Sequence, residues 1–200
     1  LSAWLALHRA LAADLSTKPA AVASRHVVAQ TDPRWAALEH AHWLADGRDD
    51  APRKVYVFTD SNCPYCTKLC SDARPWVKSG KVQLRHLIVG ILTPTREGKA
   101  AAILGEGDPA AKLASYEASH ALSVSTMLAG GQHHPTEDPG LEPLDPVPSS
   151  AQAILAENLK LMQSFKVQAT PGDVFLDEQG HVQVHQGIAL VQFAEVLGAK

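Results

Sequence analysis

Apolar and polar positions change their period near residue 53: upstream the spacing is helical, downstream short apolar runs alternate with helical stretches. Trp4, Leu5, Leu11 and Leu15 recur near helical spacing behind a candidate N-cap at Ser2, predicting a helix over 1–16 that Lys18-Pro19 ends. Residues 19–30 are rich in Ala and Val and specify no element. A linker helix is predicted within 31–50. Asp32 caps it, Pro33 takes the first helical position, and Gly47 closes it after Trp35, Leu38, His42 and Leu44.

From Arg53 the pattern is α/β. Residues 55–59 read as a buried strand and 63–78 as a helix, which Pro75 bends or ends. Gly80 turns the chain into a strand over 82–91. Helices follow over 99–104 and 109–119, the second with Asp108 as N-cap and Pro109 behind it. Residues 129–149 are rich in Gly, Pro and acids, show no core pattern, and read as a long surface loop in which His133 and His134 are solvated. Helix returns over 151–165 behind Ser150. Strands at 174–176 and 182–186 flank a turn at 177–180, and a short helix is predicted over 191–197.

Composition narrows the class. Two hundred residues, 46% hydrophobic, suffice for one domain with an appendage or for two small ones. A net charge of −3 without a Lys/Arg-rich block gives no basis for binding nucleic acid. No apolar run approaches a membrane span. The first residue is Leu1, as expected of a processed or trimmed chain. Three cysteines are too few for a disulfide scaffold.

Two of those cysteines carry the chemistry. Cys63-Pro64-Tyr65-Cys66 directly follows the strand pattern at 55–58 and directly precedes a helix. At such a junction the two sulfurs come close enough to bond, and helix amides point at the first. Partial positive charge there favours a thiolate, so Cys63 is expected to have a lowered pKa and to attack, with Cys66 the more buried resolving thiol. Thiol–disulfide exchange is the chemistry this implies, with no cofactor. The competing reading is a Cys/His metal module in which Cys63, Cys66 and Cys70 hold zinc or Cu(I). No second cysteine pair supports it, and Cys70 reads as a small buried core residue. His40 and His42 are two apart on a helix, and His181 and His185 four apart on a strand; neither spacing chelates. Asp60 and Lys68 flank the motif, where they could shuttle protons or shift the thiolate, but read first as solvated surface charges.

Thr170-Pro171 opens the strand pattern at 174–176, an edge position a proline tolerates. By itself an ordinary trans turn is the expectation.

The stretch 55–60 with its CPYC motif, Ala73-Arg74-Pro75-Trp76-Val77 and the run 79–85 resemble the bacterial periplasmic thiol–disulfide interchange proteins of the DsbC/DsbG type, the DsbG branch most closely. The similarity runs on through Val89-Gly90, residues 100–104, Tyr116-Glu117-Ala118-Ser119 and Thr170-Pro171, and upstream into 42–47. It implies a thioredoxin-like fold over 51–200 with an inserted helical subdomain over about 98–165, preceded by the 31–50 linker helix and a short segment at 1–30. It also implies that Cys63 is the nucleophile and Cys66 its partner, and that Pro64, Tyr65, Thr170 and a cis Pro171 face the substrate. The expected substrates are cysteine-containing proteins, bearing disulfides or sulfenic acids, and the outcome is isomerisation or net reduction. A membrane electron donor of the DsbD kind would recharge the pair, in the periplasm. A dithiol oxidase of the same fold is the alternative.

Three departures from the family stand out. About thirty residues precede the linker helix, too few for the family's dimerisation domain, which leaves a homodimer open. The 129–149 loop reads as an insertion. Gly172-Asp173 follows the proline where small and apolar residues are expected, and an acid there would raise the Cys63 pKa.

Overall fold

A computed structural model of the protein describes residues 32–135, 140–187 and 192–199; the helix predicted over 1–16 lies outside them. The described chain runs α1 (Pro33–His40), β1 (Leu44–Asp46), β2 (Arg53–Thr59), α2 (Pro64–Lys78) and β3 (Val82–Ile88). It continues through α3 (Arg96–Leu104), α4 (Pro109–Ala129), α5 (Ser149–Ser164), β4 (Gly172–Leu176), β5 (Val182–Gln186) and α6 (Phe193–Leu197).

The five strands form one sheet in the order β1-β3-β2-β4-β5. β2 and β3 are parallel, joined by α2 as the crossover, with Val55 against Leu84 and Phe58 against Leu87. β4 lies antiparallel on the other side of β2, Val55 against Phe175 and Phe58 against Gly172. Strand alternation then sorts the core into two layers. Val55, Val57 and Phe175 face Leu69, Ala73, Trp76 and the α6 residues Phe193 and Val196. Tyr56, Phe58 and Val174 face the opposite side, where Trp35 and Leu38 of α1 and Met162 of α5 cover them. The motif therefore sits at the end of a central strand, with both faces beneath it packed.

The linker helix is shorter than predicted. Asp32 caps it by accepting from the Arg34 amide, Pro33 begins it, and it stops at His40. Residues 44–46, predicted to be its last turn, are instead an edge strand antiparallel to β3, pairing Leu44 with His86 and Asp46 with Leu84. Gly47 does adopt a positive φ of 116°, but it ends that strand: a Cβ there would sit 2.7 Å from the Val82 carbonyl oxygen. The sheet thus includes residues upstream of 51.

Pro75 neither ends nor interrupts α2, which continues to Lys78; the ring removes only the bond its own N–H would have made. The helices α3, α4 and α5 are inserted between β3 and β4. They share a core of Ile103, Leu113, Tyr116 and Leu155 that reaches the sheet through Ile88. α4 runs ten residues beyond its predicted end at 119. The insertion is tied back by Asn158, whose buried Nδ2 donates to the Ile88 carbonyl at 2.9 Å. Gly98 meets the segment after α4 so closely that a Cβ would lie 2.7 Å from the Leu144 carbonyl oxygen.

Candidate active site

Cys63 is the N-cap of α2, in extended backbone conformation, with Pro64 at the first helical position. The Cys66 amide returns to the Cys63 carbonyl at 3.0 Å and closes the first turn. Both cysteines are free thiols and buried. Across from them the Thr170-Pro171 bond is cis, correcting the expectation drawn from the dipeptide alone. The Cys63 thiol donates to the Thr170 carbonyl at 3.1 Å, 107 residues away in sequence. Cys63, Cys66, Thr170 and Pro171 therefore meet at one point of the surface.

The two thiols are electrostatically unequal. A hydrogen bond from the Cys66 thiol outweighs burial and, with the amides of Tyr65 and Cys66, holds Cys63 down to about 7. Burial pushes Cys66 well up, and the adjacent Cys63 sulfur adds to the rise. Near neutral pH the pair thus gives up its first proton from Cys63, while Cys66 stays a thiol behind it. Cys70 is buried further along α2 and pushed well up by the same desolvation, which leaves it an inert core thiol.

The loop before Cys63 is held rigidly. Asp60, predicted to be a solvated charge, is fully buried: its carboxylate accepts from the amides of Asn62 at 2.8 Å, Ile91 at 2.7 Å and Leu92 at 3.1 Å. The side chain of Asn62 donates to Thr93 Oγ1 at 2.8 Å and accepts from buried Lys99 at 3.1 Å. Tyr116, on the insertion, donates to the Ser61 carbonyl at 3.0 Å. Lys68 behaves as predicted, half exposed in an i,i+4 pair with Asp72 at 2.7 Å.

Two further residues depart from their predicted surroundings. His133 is not merely solvated: its ring stacks on Tyr65 at 6.0 Å between centroids and 8° between planes, with Nδ1 2.7 Å from the Tyr65 hydroxyl. Asp173, expected to raise the Cys63 pKa, points under α2 from the β4 position opposite Val57. It is fully buried, both carboxyl oxygens lack a hydrogen-bond partner, and desolvation alone pushes it well up. A carboxyl suppressed in this way carries no charge to Cys63, whose pKa is lowered rather than raised. Glu117, within one of the stretches that match the family, is likewise buried, and burial pushes it up to about 8 against a hydrogen bond from Thr67 of α2. Side-chain burial of this kind leaves no mark in a single sequence.

A cleft of about 470 Å³ opens beside Cys63, lined by Tyr65, Lys68, Thr170, Pro171, Gln186 and Phe193 among others. Among the described residues no group of three or more His, Cys, Asp or Glu side chains is placed to hold a metal ion, and no helix is long and apolar enough to cross a membrane.

A mixed five-stranded sheet with a dithiol at the N-terminus of its crossover helix, facing a cis-proline, defines a thioredoxin-like protein. The chain belongs to the thioredoxin-like domain family, which it matches over residues 44–198. It is similar to the thiol:disulfide interchange protein DsbG of Pseudomonas aeruginosa, 41% identical over 83% of this chain and 59% of the relative. The DsbG of Escherichia coli is 39% identical over 77% of this chain and 56% of its own length, so the chain spans somewhat under three fifths of these relatives. Among solved structures, Proteus mirabilis ScsC in a compact conformation superposes with a TM-score of 0.59 at 18% identity, covering 88% of this chain and 82% of that one. A periplasmic thioredoxin-like protein from Salmonella enterica serovar Typhimurium gives 0.56 at 19% identity, over 84% and 94%. At such identities these two likenesses establish the fold.

Proposed function

We propose that the protein is a periplasmic thiol–disulfide oxidoreductase acting on cysteine-containing proteins. The observation that carries this reading is the asymmetry of the dithiol: a Cys63 sulfur held near 7 at the substrate-facing turn, backed by a Cys66 thiol that burial keeps protonated. In the forward direction the Cys63 thiolate attacks one sulfur of a substrate disulfide, forming a mixed disulfide and expelling the other sulfur as a thiolate. Cys66 then displaces the bound substrate, leaving Cys63–Cys66 oxidised and the substrate reduced by two electrons. If another substrate thiol displaces Cys63 first, the result is isomerisation. A cysteine sulfenic acid enters the same route, with water leaving in place of a thiol.

Pro64 and Tyr65 flank the reacting sulfur, and Tyr65 borders the cleft. Thr170 and Pro171 form its opposite wall. The Thr170 carbonyl, which the Cys63 thiol occupies at 3.1 Å, becomes free to accept from a substrate amide once Cys63 ionises. A membrane donor of the DsbD kind is the proposed source of electrons for the oxidised pair. The resemblance read from the sequence suggests that donor, and the similarity to DsbG supports the periplasmic setting.

The test is a glutathione redox titration of the metal-free protein, with alkylation and mass spectrometry to locate the disulfide. A reversible two-electron transition confined to Cys63 and Cys66 is expected. A strongly oxidising midpoint would convert the assignment to a dithiol oxidase, and a disulfide through Cys70 would overturn it.

A further inference from the structure

The segment after α4, read above as an insertion into the family pattern, reaches back to the motif through His133. Its aim is set by how α4 ends. Gly130 is the C-cap, and Gly131 takes a φ of 77°, a conformation that suits glycine. The Gln132 amide donates to the Met127 carbonyl at 3.1 Å and the Gly131 amide to the Leu128 carbonyl at 3.1 Å, the paired bonds of a glycine-closed helix end. The chain thus leaves α4 in a fixed direction, with His133 two residues beyond Gly131. There the imidazole lies within 8° of parallel to the Tyr65 ring, and Nδ1 is 2.7 Å from the Tyr65 hydroxyl. Tyr65 sits between the two cysteines, borders the cleft with Thr170 and Pro171, and is 43% exposed. A side chain so exposed would ordinarily keep its rotamer freedom. Here it is held at both ends, by α2 at its backbone and by the insertion at its hydroxyl. The Tyr65 amide, rather than its ring, helps to hold Cys63 down, so the tether and the acidity of the sulfur are separable.

We propose that His133 is a positioning residue for substrate recognition, pinning Tyr65 as a fixed wall of the cleft so that disulfides carried on a polypeptide are taken in preference to small ones. The proposal rests on the thiol–disulfide reading above and names what orders the surface the substrate meets. A small disulfide needs only the Cys63 sulfur. A polypeptide disulfide must also lay the residues around its cysteine along Tyr65, Thr170 and Pro171, and any wall side chain still moving has to be stilled as it binds. With Tyr65 already tethered, that ordering is complete in the free protein. His133 is not among the residues that line the cleft, so it acts through Tyr65 and not by touching the substrate. The sulfur chemistry is untouched: Cys63 attacks and Cys66 resolves as before.

The test oxidises the reduced protein with two probes, hydroxyethyl disulfide and a disulfide-linked dimer of a short unstructured peptide, and follows Cys63–Cys66 by quenched alkylation and mass spectrometry. His133 is exposed, so replacing it leaves the core intact. In His133→Ala the half-saturating concentration of the peptide dimer should rise about tenfold, the scale of one lost hydrogen bond and one freed side chain. Its limiting rate and the rate with hydroxyethyl disulfide should each stay within about twofold of wild type, because neither depends on the tether. The Cys63–Cys66 redox midpoint should not move. His133→Asn, which keeps a hydrogen-bonding group near the place of Nδ1, should recover much of the affinity. In a Tyr65→Phe background, with no hydroxyl to hold, His133→Ala should add nothing further. An unchanged half-saturating concentration, an equal loss with both probes, or a His133→Ala effect that persists undiminished beside Tyr65→Phe would overturn the proposal. A wild type that neither probe oxidises would instead remove the thiol–disulfide reading itself.

Discussion

Replacing Asp173 should make the protein more stable, and increasingly so as pH rises. The side chain lies fully buried on β4, opposite Val57 and under α2, and neither oxygen is hydrogen-bonded. A neutral polar group buried without a partner costs about 1–3 kcal/mol relative to an apolar one of similar shape. Ionisation adds to this. Desolvation raises the folded-state pKa well above 3.8, so the folded protein binds more protons here than the unfolded chain. Stability must then fall as pH rises above the ordinary aspartate value, by up to about 1.4 kcal/mol per pH unit until the folded group itself ionises. Val fills nearly the same space and suits a strand among Val57, Leu69 and Phe175. Urea unfolding of wild type, Asp173→Val and Asp173→Asn at pH 5, 7 and 9 measures both contributions. We expect Asp173→Val to exceed wild type by at least about 1 kcal/mol at pH 5, with the gap widening towards pH 9 for both variants. Other buried acids contribute equally to all three proteins and cancel. A gap that stays constant with pH, or an Asp173→Val variant less stable than wild type, would show that the carboxylate has a partner and refute the reasoning.

Other substitutions probe separate parts of the site and its support. Cys66→Ser should accumulate a mixed disulfide through Cys63, visible as added intact mass, whereas Cys70→Ser should leave the Cys63–Cys66 redox midpoint unchanged. For Asp46, burial is overridden by the paired hydrogen bonds from Arg74, with His86 Nε2 nearby at 3.9 Å, and the carboxyl is held well below its usual range. Its contribution is therefore present above the unfolded value of 3.8 and lost as pH falls through the lower folded one. Arg74→Met should cost about 2–4 kcal/mol at pH 7 by leaving a largely buried carboxylate unpaired, and less in acid; urea midpoints across pH give the comparison. Gly98→Ala should cost about 1–3 kcal/mol, because the new methyl meets backbone at Leu144 that cannot yield cheaply. Hydrogen exchange should rise first at the Leu144 amide, which donates to the Gly98 carbonyl at 3.0 Å.

What the sequence disclosed depended on whether the signal was local. A CPYC motif between an apolar run and a helical pattern, an Asp-Pro cap before α4 and a turn between β4 and β5 are each written within a few residues, and each of these boundaries lies where it was expected. The end of the linker helix was misread because Gly47 satisfies both a helix terminus and a strand terminus. Only the partner strand β3 decides between them. The same limit explains the charged residues. Asp60 resembles any acid beside a turn until three amides from two segments converge on it. Glu117 and His133 come from helices and loops far along the chain, and Asp173 needed the sheet register before its direction was known.

The separation of the two halves of the site has a consequence for how the protein is made. Cys63 and its Thr170 contact lie 107 residues apart, and the whole helical insertion is synthesised between them. During that interval a nascent chain can already form β2, α2 and β3, exposing a dithiol without the strand and proline loop that later frame it. Closing so long a loop is entropically slow compared with local folding. A chain crossing an oxidising compartment would therefore pass through a stage in which its most nucleophilic sulfur is unselective. The depth at which Cys66 and Cys70 are set into α2 limits which wrong disulfides that stage can produce.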